Sequence, residues 1–126
     1  FRMSILKKLE ALQGIPGYLG AGVFSPEGKM LGGVTEVAGI SFEIAGQLFH
    51  ESFLITENRS RESGFGPIRM MQVDAGMGTV FIRCFQNDDL HFHLITVVKS
   101  DSNLGLAKML IDRALNEISE TITSKH

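Results

Sequence analysis

Residues 14–28 constrain this 126-residue chain more than any other stretch. They read as a helix stop, a glycine-rich strand and a tight turn into a second strand. Gly14 can supply a left-handed helix cap, and Pro16 keeps the helix from resuming. Gly20 and Gly22 stand two apart, so they share one face of the strand, and a face without side chains lets another element approach the backbone. Ser25-Pro26-Glu27-Gly28 has the proline and glycine placement of a type I turn. Nothing in the run is catalytic; it is the signature of a scaffold.

The rest of the chain fills in around it. Ile5, Leu6, Leu9 and Leu12 recur at helical spacing within 3–13, and strands follow at 18–24 and 29–34. The second helix is predicted over 40–60, and its wheel is unusual. Leu54, Ile40, Ile44, Ile55, Leu48, Ala45, Phe49, Phe42 and Phe53 sweep roughly 260° at 100° per residue, with Glu51 intruding, whereas one sheet needs an arc of ~100°. The helix therefore has apolar surface for its own sheet and for something else. Glu43, Gln47, His50 and Glu57 fill the remaining polar strip. Gly64-Phe65-Gly66-Pro67 breaks the helix.

Strands are predicted at 67–74, 79–85 and 89–99, joined by short, turn-rich connectors that make them consecutive hairpins. Asp101, Ser102 and Asn103 offer N-caps for a last helix over 103–122, with Leu104, Ala107, Ile111, Ala114, Ile118 and Ile122 on one stripe. The order α-β-β-α-β-β-β-α with short links implies one α/β (α+β) domain over residues 1–126: a five-stranded antiparallel sheet with helices on both faces. The helix over 40–60 is expected opposite the other two.

Charge and motifs exclude several functions. Net charge is −2, from 12 basic and 14 acidic residues, and Arg59, Arg61 and Arg69 are too sparse for a patch, so no nucleic acid is expected as partner. No apolar run has the length of a membrane span, so no membrane insertion is expected. Lys7 and Lys8 interrupt any secretory pattern, and the single Cys84, a structural thiol with no internal disulfide partner, fits a reducing compartment; the expected location is cytoplasmic. Asn58-Arg59-Ser60 matches a glycosylation sequon by chance in such a compartment. The run from Gly22 to Lys29 fails as a phosphate loop, because five residues separate its glycines and Met30 replaces Ser or Thr. His91 and His93 share a strand face and could reach one metal with Asp88 or Asp89, but packed histidines are the better reading. No cofactor, metal or catalytic residue is expected. What stands out instead is strand 67–74, apolar on both faces and without a central proline, a poorly protected edge with adaptable Met70, Met71 and Met77 close by.

The order of motifs resembles the roadblock family, also called the dynein light chain roadblock family. Leu9 and Leu12 precede Ile15-Pro16-Gly17 and Gly20-Ala21; Pro26 and Gly28 lead into the second strand; Val97-Val98 and Asn103-Leu104-Gly105-Leu106-Ala107-Lys108 match the junction to the last helix. The resemblance covers nearly the whole chain. It implies a profilin-like α/β/α sandwich and a dimer in which third strands pair and second helices pack together. It also implies binding or regulation of a Ras-like small GTPase, activation of GTP hydrolysis being one form, or service as a structural adaptor in a motor or signalling assembly. No catalytic residue carries over, since the family has no shared active-site motif. A homodimer is expected through Phe49, Phe53, Ile68, Met70 and Gln72, with the GTPase docking on Glu43, Gln47, His50 and Glu57. The charged segment Asn58 to Ser63 departs from the family pattern.

Overall fold

The computed structural model describes residues 2–35, 41–87 and 89–123; Ile40 of the apolar arc and Asp88 of the histidine strand lie outside them. Helix α1 (Arg2–Glu10) runs into a 3-10 turn (Ala11–Gly14), followed by β1 (Tyr18–Phe24) and β2 (Met30–Thr35). Helix α2 (Phe42–Glu62) leads to β3 (Met70–Ala75), β4 (Gly78–Asn87), β5 (Leu90–Val98) and α3 (Leu104–Thr123). The element order expected from the sequence holds throughout.

Local chemistry sets the boundaries. The left-handed residue that ends the first helical segment is Gly17 (φ 86°) rather than Gly14, because the chain tightens into the 3-10 turn and leaves it three residues later. In the first hairpin Gly28 N–H bonds Ser25 O at 2.9 Å, as a type I turn requires. Gly28 then takes φ 86° and Ser25 N–H bonds Lys29 O at 2.8 Å, the bulged form of that turn. Ser41 caps α2 by accepting from Ile44 N–H at 3.3 Å, and among the three N-cap candidates of α3 it is Asn103 that accepts from Leu106 N–H, at 3.0 Å.

The sheet is antiparallel with strand order β2-β1-β5-β4-β3. Its centre, β1 against β5, joins strands distant in sequence, and its edges are β2 and β3. Helix α2 is the crossover between those edges. At 21 residues it is roughly 31 Å long, against about 19 Å for four strand spacings, so it crosses the whole sheet with length to spare.

The two layers are unequal. On one face α1 and α3 enclose Ile5, Leu9, Phe81, Leu94, Ile111 and Ile118 in the larger core cluster. On the other, α2 alone covers a smaller cluster of Phe24, Phe42, Phe53, Val80, Ile82 and Ile95. The helices thus divide between faces as expected, and one sheet face is covered by a single helix.

Candidate partner-binding surface

Gly46 decides how α2 lies on the sheet. A Cβ at that position would overlap the Phe24 ring, so the absent side chain lets the helix settle onto it. Gly22 does the same from below, where a Cβ would stand 3.0 Å from the Phe42 ring. The buried stripe is therefore Phe42, Gly46, His50, Phe53 and Glu57. This corrects the sequence expectation in two respects. His50 and Glu57 are not part of an exposed polar strip but face the sheet, and Phe53 is fully buried inside its own chain rather than available to a second one. Glu43 and Gln47 are exposed as expected.

The buried histidine is satisfied from across the fold. His50 Nε2 lies 3.0 Å from Pro26 O, and its Nδ1 lies 2.6 Å from His93 Nδ1 on β5. A carbonyl only accepts, so His50 carries its proton on Nε2 and its Nδ1 accepts from His93 Nδ1–H. His93 Nε2 is then a bare lone pair without a hydrogen-bond partner, packed with Phe53 at a ring distance of 4.3 Å. Burial first, then His50 and His91, push the His93 pKa down to about 3, so His93 is neutral at ordinary pH. His91 turns instead to Cys84, with Nδ1 and Sγ 3.4 Å apart. Burial, and Glu57 after it, push the Cys84 thiol up to about 11, which leaves it protonated and unreactive. Among the described residues no three metal-ligating side chains are arranged to hold an ion. The titratable groups here tie α2 to β5.

With that stripe buried, the pole of α2 pointing away from the sheet carries Ile44, Leu48 and Ile55, each 58–60% exposed. Four residues and then seven separate them, so they form one line along the helix. Aligned this way on a helix pole, they form a contiguous exposed apolar stripe, a feature that in general marks interaction surfaces. Beside them, on the flank turned towards β3, Ala45 and Phe49 wall an apolar cavity of ≈ 210 Å³. Leu19, Val80, Val97 and Met77 close its other sides.

The β3 edge completes the surface. Its one ladder is with β4, from Met70↔Arg83 to Ala75↔Gly78, and its outer side is open among the described residues. Met71 and Val73 pack into the α2-side cluster, as does Ile68 just before the strand, while Met70 and Gln72 are exposed. Of the five residues expected at a dimer contact, Phe49, Ile68, Met70 and Gln72 thus lie on or beside the open flank and edge.

No protein-family model matches the sequence, and no curated protein matches it. Solved structures do. MglB of Myxococcus xanthus superposes with a TM-score of 0.85 over 98% of this chain and 90% of its own, at 11% identity. The gliding protein MglB of Thermus thermophilus gives 0.81 over 98% and 91%, at 14% identity. A Roadblock/LC7 domain from Streptomyces avermitilis gives 0.77 over 94% of each chain, at 11% identity. The chain has the roadblock fold. The likeness is of backbone, at 11–14% sequence identity. In this roadblock fold the layer of α2 and the β3 edge is the thinly covered one, and no helix among the described residues is long and apolar enough to cross a membrane.

Proposed function

We propose that this protein is a homodimeric roadblock-type regulator or adaptor that binds a Ras-like small GTPase. The observation that carries the proposal is the line of Ile44, Leu48 and Ile55 along the outer pole of α2. In a dimer joined through β3, Met70 and Gln72 at the edge and Phe49 on the flank meet the second copy. Both copies of α2 then lie on the same face of one continuous sheet. Their outer poles form a two-helix platform with an apolar centre, rimmed by Glu43, Gln47 and Glu51, the arrangement of a protein-binding surface. The partner contact thus shifts from the polar strip to the apolar pole, and Glu43 and Gln47 keep a steering part in the rim.

The proposal assigns the chain no chemistry of its own: any effect on GTP hydrolysis is exerted through the GTPase. Arg59 and Arg61 stand exposed near the end of α2, and nothing in their setting selects either as a group reaching a nucleotide. The test is single-turnover GTP hydrolysis by a Ras-like GTPase from the same cell, with and without this protein, alongside a direct binding measurement. Binding with altered turnover supports a regulator. Binding with unchanged turnover supports the adaptor role in a larger assembly. No binding by any such GTPase overturns the proposal.

A further inference from the structure

Phe65 is the most exposed large apolar side chain among the described residues, at 86%. Its mount is built. Helix α2 ends in a Schellman motif, with Phe65 N–H bonding Ser60 O at 2.9 Å, Gly64 N–H bonding Arg61 O at 3.1 Å, and Gly64 at φ 88°. Gly66, at φ 81°, turns the chain again, and its carbonyl accepts from Ser60 Oγ at 2.7 Å. Two left-handed glycines thus bracket Phe65, and Ser60 bonds the segment on both sides of it. In this motif the residue at the Phe65 position commonly packs on an apolar side chain one turn back. Here those positions are Ser60 and Arg59, so the helix offers the ring nothing to lie on.

A hole of matching chemistry lies on the same chain. The ≈ 210 Å³ cavity beneath the N-terminal half of α2 is lined by Phe42, Phe49, Val80 and Val97 and bordered by the β3–β4 turn at Ala75, Met77 and Gly78. An apolar void of about 150 Å³ suffices to take a benzene ring. Within one chain Phe65 precedes β3 and this turn follows it, so ring and cavity sit at opposite ends of the strand. Two-fold pairing of β3 with its own copy exchanges those ends. Identical edge strands related by an axis normal to the sheet run antiparallel with every side chain keeping its face, so a residue near the strand midpoint pairs with its own copy; centring on Gln72 sets Met70 opposite the partner's Asp74. The segment Gly64–Pro67 then lies beside the partner's β3–β4 turn.

We propose that Phe65 is a reciprocal anchor: each protomer inserts its Phe65 ring into the cavity between α2 and β4 of the other. This rests on the homodimer proposed above and adds the residue that sets its register. Each residue of slip between paired edges moves the Phe65 segment by ~3.4 Å along the partner. A ring seated in a pocket therefore selects one pairing from several that the β3 edge would allow.

The chain contains no tryptophan, so Phe65→Trp introduces a single reporter. Its emission is expected to move to the blue, and to become shielded from a soluble quencher, over the concentration range in which light scattering shows the dimer forming. Phe65→Ala is expected to weaken association by about 30-fold or more, the cost of truncating an aromatic anchor, with an unchanged circular dichroism spectrum. In a Cys84→Ala background, Phe65→Cys mixed with Met77→Cys is expected to give a disulfide-linked heterodimer that neither variant gives alone. A wild-type protein that stays monomeric at hundreds of micromolar overturns the homodimer itself. A wild-type dimer in which the introduced indole remains exposed, or the mixed cysteines fail to link, overturns the anchor and leaves the homodimer standing. The same holds if Phe65→Ala loses GTPase binding while associating as tightly as wild type.

Discussion

At His93 a bare Nε2 lone pair sits fully buried among aromatic rings, and its pKa is pushed down to about 3. The unfolded chain takes up a proton on this residue near pH 6.5, whereas the folded chain resists until about pH 3. The unfolded state therefore binds more protons between those values, and stability falls as pH drops through that window. The contribution is complete above about pH 7, and roughly 2 kcal/mol of it is gone by pH 5 at 1.36 kcal/mol per unit. The groups around the pair are Cys84 on β4, His91 on β5, Glu57 on α2 and the Pro26 carbonyl from the turn. Urea midpoints measured against pH should decline for wild type and flatten for His93→Leu over the part of the window above the carboxylate range. Equal slopes for the two proteins would locate the acid sensitivity elsewhere. At Gly46 two effects compete. Alanine favours a helix over glycine by about 1 kcal/mol, but its methyl group would overlap the Phe24 ring. Overpacking of this kind costs about 1–3 kcal/mol, so Gly46→Ala should lower the unfolding midpoint. Phe24→Leu in the same chain should recover part of the Gly46→Ala loss; a strictly additive pair would mean that the two residues do not press on each other.

Among the elements, the strands and turns were legible in the sequence and the rotation of α2 was not. Strands announce themselves locally, through alternation bounded by Pro-Glu-Gly or Ala-Gly-Met-Gly turns, and β1 was expected over the residues it occupies. The wide apolar arc of α2 pointed to more apolar surface than one sheet covers, but a wheel assigns apolar residues to the inside. Here the inside stripe holds a glycine, a histidine and a glutamate, while Ile44, Leu48 and Ile55 face out. The reasons are non-local. Gly46 is buried because Phe24 rises to meet it, and His50 is tolerated because His93, forty-three residues on, supplies its hydrogen bond. Neither partner is visible within the helix. The Phe65 mount combines two legible glycines with a Ser60 contact that is not. If the outer pole of α2 is the partner surface, Leu48→Glu should abolish GTPase binding, a loss of tenfold or more by calorimetry, while leaving the thermal midpoint within about 1 °C, since Leu48 buries little in its own chain. Glu43→Lys should mainly slow association and alter its salt dependence, read by stopped flow.

For the whole molecule, the proposed homodimer would make association part of stability, because it covers the thinner of the two unequal layers. A two-fold dimer through β3 and α2 is expected to bury at least ~1,200 Å² in total, the floor for a stable specific interface. Its thermal midpoint should then rise with protein concentration, because anything that binds only the folded chain stabilises it by mass action. Sedimentation and melting across a hundredfold dilution check both statements together; a midpoint independent of concentration, with a single monomeric species, would contradict them.

The layer formed by α1 and α3 holds the first and last described elements, packed against each other on the side of the sheet away from α2. A tether attached at either end therefore leaves the molecule facing outward. Coupled to a bead or a surface through residues near Arg2 or Thr123, the protein should display its α2 pole to the solution, whereas coupling through a cysteine placed at position 48 should bury it against the support. Orientation on a surface thus follows from which layer holds the point of attachment, and capture of a partner from solution should depend on that point even though every immobilised molecule is equally well folded.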